Sequence, residues 1–148
     1  MDYEVVRAGL AQAIPYNAHL GLEVLEVDEA SGSVRLPDQE RLRNHVGSQH
    51  AGGLFSAGEA ASGAALVGAF AEHLDALRPL ASSAHIEYLT LARGPITAAG
   101  RLSEDRETLL ARLEAAGRVE FQVEVELTDA DGQTVARMSV DWHVRKSS

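Results

Sequence analysis

The chain contains no cysteine. That excludes a disulfide, a thiol nucleophile and a zinc–cysteine site. Basic residues are scarce too: 13 Lys and Arg stand against 22 Asp and Glu, a formal net charge of -9. Nucleic acid needs a basic footprint against its phosphates, so it is not an expected partner. The same deficit argues against an anionic membrane surface. The opening residues, MDYEVVRAGL, lack the basic region and apolar core of a signal peptide, and a cytoplasmic location is expected. Five of the six histidines, His19, His45, His73, His85 and His143, show no metal-ligand spacing and read as structural or surface groups, so no metal is expected.

Long apolar segments are also missing, with one exception. From Ala51 to Phe70 there is a single charge, Glu59, among Ala, Gly, Leu, Val, Phe and Ser. Twenty helical residues would run about 30 Å. That length would suffice to span a bilayer, but the Ala/Gly-rich composition and the central acid point to a helix wrapped by protein instead. Gly52, Gly53, Gly58, Gly63 and Gly68 weaken it by roughly 1 kcal/mol each relative to Ala. Tertiary packing must therefore hold it, and the missing side chains would let other backbone approach closely. A lone carboxylate inside such a helix must be paired or used.

At 148 residues the chain reads as one domain, 1–148, with room for a sizeable core. A short helix is expected over Asp2–Ala13, ended by Pro15, with Tyr16–Leu20 as connector. Gly21–Asp28 and Ser33–Leu36 read as a hairpin about a Ser31-Gly32 turn, followed by a polar loop over Pro37–Arg43. The buried helix continues past Phe70 until Arg78-Pro79 stops it. Leu80–Ala92 and Ile96–Leu102 read as strands, and Glu104–Ala116 as a helix with Ser103 as N-cap and Gly117 as its stop. Val119–Leu127 alternates apolar and polar residues cleanly, Asp129–Gly132 marks a hairpin turn, and Thr134–Val144 closes the chain with Met138, Val140, Trp142 and Val144 on one face. One apolar helix with a curved antiparallel sheet around it is an α+β domain.

The order of elements resembles the hotdog fold. The central stretch, NHVGSQHAGGLFSAGEAASGAALVGAF, is similar to the phenylacetic-acid-type acyl-CoA thioesterases of that superfamily. Their pattern is an Asn, then His-Gly-Gly six residues on, then an acid nine residues after the His. Here these are Asn44, His50-Ala51-Gly52 and Glu59, and the strand His85-Ile86-Glu87-Tyr88-Leu89 follows in place. The resemblance covers Tyr16 to Val144. Two features depart from it: Ala51 replaces the first Gly of His-Gly-Gly, and the Glu104–Ala116 helix stands where a plain hairpin is expected.

The resemblance implies an acyl-CoA thioesterase acting on a small aryl- or acyl-CoA. Backbone N–H groups of Ala51 and Gly52 at the helix start would polarise the thioester carbonyl. Glu59 would be the nucleophile, or the general base for water; against this stands a Glu that is simply paired in the core. Asn44 would position water or carbonyl, and His50 would hold the carbonyl or the loop. Each is otherwise an ordinary loop residue. Coenzyme A belongs to the substrate, so no cofactor is implied; Arg41, Arg43 and Arg93 are candidates for its phosphates. Ser82 and Ser83 could lie near the acyl pocket. Hotdog sites form between subunits, which implies a homodimer or a dimer of dimers. The alternatives are a non-catalytic acyl-CoA-binding or regulatory hotdog domain, and an enoyl hydratase, whose Asp-x-Asn-Pro-x-His-type loop the chain lacks.

Overall fold

The apolar window becomes one helix buried under a curved sheet in the computed structural model, which describes residues 1–148. In chain order the elements are α1 (Tyr3–Ala13), α2 (Pro15–Leu20), β1 (Glu23–Val27), β2 (Ser31–Leu36), α3 (Ala51–Ala69), β3 (Leu77–Tyr88), β4 (Ile96–Leu102), α4 (Arg106–Ala116), β5 (Arg118–Thr128) and β6 (Thr134–Lys146). The six strands form one antiparallel sheet in the order β1-β2-β4-β5-β6-β3. Helix α3 lies in its concave face, with Ala57, Ala61, Ala64, Ala65 and Ala69 wholly buried. It is not long and apolar enough to cross a membrane, and neither is any other helix.

Small residues set how closely sheet and helix approach. A Cβ on Gly68 of α3 would lie 1.8 Å from the Asp28 carbonyl oxygen, so the β1–β2 turn sits directly on the helix backbone. A Cβ on Gly32 of β2 would lie 2.5 Å from the Ala64 Cβ. Backbone thus replaces side chain at the contact, as the glycine content of the window predicts. The alternation over Val119–Leu127 holds: Val119, Phe121, Val123, Val125 and Leu127 are buried, while Glu120, Glu124 and Glu126 are exposed.

Several local expectations need correction. Tyr16–Leu20 is helical, because Pro15 stands at the first position of α2, where its missing N–H loses nothing, and Gly21 closes α2 at φ 73. Ser31-Gly32 lies within β2, not in a turn. Asp28 makes that turn: its Oδ1 accepts from the N–H groups of Ala30 and Ser31, both at 2.9 Å. The Pro37–Arg43 loop contains one 3₁₀ turn, Glu40–Leu42. Helix α3 ends at Ala69, well before Arg78-Pro79. Pro79 is instead inside β3, tolerated because β3 is an edge strand bonded only to β6. Strand β3 ends at Tyr88 rather than Ala92. The N-cap of α4 is Asp105, which accepts from the Thr108 N–H at 3.1 Å, while the Ser103 hydroxyl donates to the Gln122 carbonyl at 2.7 Å. Gly117 does end α4, at φ 74.

Candidate active site

The start of α3 is held by the loop before it. His50 is the N-cap, and its Nδ1 accepts from the Gly52 N–H at 2.8 Å. An accepting Nδ1 leaves the neutral ring with its proton on Nε2. Gly52 therefore has no amide to spare, and it does not join Ala51 as a free donor. The N–H groups of Ala51 and Gly53 make no hydrogen bond within the protein. Ala51 is exposed, so its amide is the open donor at the positive end of the α3 dipole. On its other side the Ala51 carbonyl accepts from the Tyr88 hydroxyl at 3.1 Å, which pins this peptide to the end of β3.

Asn44 organises that loop. Its Oδ1 accepts from the N–H groups of Val46 and Ser48, at 3.0 and 3.1 Å, and its Nδ2 donates to the Ser48 hydroxyl at 2.9 Å. Buried Gln49 donates through Nε2 to the carbonyls of Pro37 and Gly94, at 3.0 and 2.9 Å. These bonds bring the 92–94 segment, and with it Arg93, beside the helix start. Arg93 is exposed and has no ion-pair partner. Arg41 is turned back on Gln39 and the His19 carbonyl, and Arg43 on Asp38, with Nη2 to Oδ1 at 3.0 Å.

Glu59 sits two turns further along α3. No hydrogen bond or ion pair engages its carboxylate. Burial pushes its carboxyl up from the usual range, with no partner opposing the shift. It lines a cavity of about 220 Å³ whose walls are mostly apolar: Leu10 and Ile14 of α1, Leu22 and Val24 of β1, and Trp142 of β6 among them. An apolar cavity near 150 Å³ already accepts benzene. Around Glu59 the helix is braced by serines. Ser62 donates to the Glu59 carbonyl at 2.7 Å and accepts from the Trp142 Nε1–H at 3.1 Å, and Ser56 lies 3.1 Å from the Tyr16 hydroxyl.

Residues 3–144 match the family described as Domain of unknown function (DUF4442). The chain belongs to that family. Solved structures show the fold of this DUF4442 chain to be the hotdog fold. PA5026 of Pseudomonas aeruginosa, a probable thioesterase, is 26% identical, aligns over 97% of this chain and 95% of its own, and superposes with a TM-score of 0.85. The PaaI protein of E. coli, from the phenylacetic acid degradation operon, is 18% identical over 95% of this chain and 90% of its own, with a TM-score of 0.74. A mutant of thioesterase PA1618 of Pseudomonas aeruginosa is 17% identical over 99% of this chain and 96% of its own, with a TM-score of 0.77. No curated protein matches the chain.

The DUF4442 chain thus brings Asn44, His50 and Ala51 together at one end of α3, with Arg93 alongside, and places Glu59 apart from them against the apolar cavity. Ser82 and Ser83 do not line that cavity; Ser82 bonds the Asp141 carbonyl and Ser83 its carboxylate. The cavity wall from α1 and the Ser62–Trp142 bond were not apparent from sequence. Trp142 was legible as inward-facing, but its partner lies eighty residues away.

Proposed function

We propose that this chain is an acyl-CoA thioesterase that hydrolyses a small aryl- or acyl-CoA. The observation that carries the reading is Glu59: an unpaired carboxylate, its pKa raised by burial, facing a cavity large enough for an acyl group. A carboxylate poised nearer neutral pH is suited to act as a base, and a dry site also strengthens its attack as a nucleophile. Either route ends with the C–S bond broken, the acyl group leaving as carboxylate and the proton going to the coenzyme A sulfur. The open Ala51 amide would polarise the thioester carbonyl as charge develops on its oxygen. His50 would keep that amide pointed outward by fixing Gly52. Arg93 is the freest of the three arginines for the coenzyme A phosphates; Arg41 and Arg43 would first have to leave their partners. No cofactor is needed beyond the substrate itself.

Eight residues separate Ala51 from Glu59, about 12 Å along a helix axis. Each group must come within roughly 3 Å of the same carbonyl. A two-fold arrangement meets this demand by setting one subunit's Ala51 beside the other's Glu59, so we propose a homodimer, alone or paired into a dimer of dimers. The unpaired edge of β3, with Leu80 and Tyr88 exposed, supports association along that strand. The direct test is thiol release from a panel of aryl- and straight-chain acyl-CoAs. Turnover of at least one, abolished in Glu59→Gln, is expected. Saturable acyl-CoA binding without turnover by the unmodified protein would instead make this a binding domain.

A further inference from the structure

Across the outer face of the sheet, charged residues that stand opposite one another differ in sign. Glu23 faces Arg35, Arg101 faces Glu124, and Arg137 lies between Glu126 and Glu87. One row breaks the pattern. Arg145 of β6 stands directly between Arg118 of β5 and Arg78 of β3. All three are exposed, and none makes a hydrogen bond or an ion pair with the protein. Like charges directly opposite on a sheet repel and destabilise it. In a chain with 22 acids and only 13 bases, placing three bases side by side without an acid is the opposite of what folding alone favours.

The row borders a surface hollow between the end of α4 and strands β5 and β6. Its lining includes Arg112, Arg118, His143 and Glu120. Nearby cations are already used: Arg112 pairs with Glu104, and Lys146 with Glu114. Glu120, two residues along β5 from Arg118, stands opposite His143 rather than in the row. The three guanidiniums together can offer several forked donors to neighbouring tetrahedral anions. Within one subunit the row is also remote from the start of α3. Arg78 and Tyr88 are ten residues apart on β3, roughly 30 Å of strand, and Tyr88 is the residue bonded to Ala51.

We propose that Arg78, Arg118 and Arg145 form an anion site for adjacent phosphates, as in a pyrophosphate or a nucleoside diphosphate, at the opposite end of β3 from that subunit's own Ala51. Pyrophosphate, adenosine diphosphate and adenosine are the probes, titrated into the full-length protein by calorimetry and followed by Tm. Pyrophosphate should bind saturably, and at a hundredfold excess over Kd it should raise Tm by about 5–10 °C. Tighter binding of adenosine diphosphate would identify a nucleotide as the ligand, equal binding the phosphates alone, and adenosine should not bind. Arg145→Gln should weaken binding roughly tenfold or more, the scale of one charge-assisted fork. Its Tm without anion should match or exceed that of the unmodified protein, because repulsion in the row is relieved. Arg101→Gln, outside the row, should bind normally. Absence of saturable binding, or equal loss in Arg101→Gln, would overturn the proposal. So would concentration-dependent self-association abolished by Arg145→Gln, which would give the row to the acidic surface of a second copy.

Discussion

The proposed two-subunit site can be tested by mixing two inactive variants. Ala51 is the first residue of α3, a position where Pro is tolerated. His50 before it has φ -63 and ψ 141, the extended conformation a following Pro requires. The Ala51 N–H has no partner in the protein, and the carbonyl that Tyr88 contacts is retained by Pro. Ala51→Pro therefore deletes one donor and little else. Loss of an oxyanion donor lowers kcat by about 10²–10³, or roughly 2.7–4 kcal/mol of transition-state stabilisation. Glu59→Gln should lower it by about 10²–10⁴. When the two variants are unfolded together and refolded, about half of the dimers are mixed. In each mixed dimer one site has the intact Glu59 of one chain and the intact Ala51 of the other, while the second site has neither. Thiol release should recover to about a quarter of the unmodified level, from pure variants that are each nearly inactive. Sites formed within one chain would give no recovery at all. That result, with dimers and folding intact by light scattering and circular dichroism, would refute the two-fold arrangement.

Two further outcomes follow from the geometry. Burial raises the Glu59 carboxyl above its unfolded value, so the folded chain binds that proton more tightly than the unfolded one. The resulting penalty is absent below the unfolded pKa and fully present once pH exceeds the folded one, so stability falls across that window. Glu59→Gln should match the unmodified protein in Tm near pH 4 and exceed it at pH 8; a lower Tm at pH 8 would mean that a cation holds Glu59 after all. Gly68→Ala would force a Cβ to 1.8 Å from the Asp28 carbonyl oxygen and displace the β1–β2 turn. A loss above about 3 kcal/mol is expected, a Tm drop of at least about 6 °C, whereas Gly9→Ala, with open space around it, should gain about 0.5–1 kcal/mol.

The fold was legible where one physical demand dominated. The Ala51–Phe70 window is apolar on every side, and only burial satisfies that pattern. The strict alternation over Val119–Leu127 leaves no other reading than a half-buried strand. Errors fell where two local signals competed. Pro15 both ends one helix and starts another, and sequence shows only the first role. Ser31-Gly32 looks like a turn because Gly is there, but its Gly answers to Ala64 across the core rather than to backbone curvature. Pro79 breaks a helix that had already stopped; what permits it is the edge position of β3, a fact of sheet order that no local window contains.

The candidate site was read in a different way, through the resemblance to the thioesterase pattern. Asn44, His50, Ala51 and Glu59 are close in sequence, so the resemblance to that motif could relate them. What spacing could not reveal is which amide His50 occupies. Its bond to Gly52 removes one of the two expected donors and leaves Ala51 as the exposed one. That single bond also gives meaning to Ala at a position where the related pattern has Gly. A donor needs only an N–H, and an exposed helix start has room for a methyl group. The cavity is a different matter, because its walls come from α1, β1, α3 and β6, and its depth depends on helices that bury no residue fully. On the acyl-CoA reading proposed above, α1 is therefore the wall that would repack around a different acyl group at least cost to the core, and substitutions at Leu10 or Ile14 should change acyl preference before they change the fold.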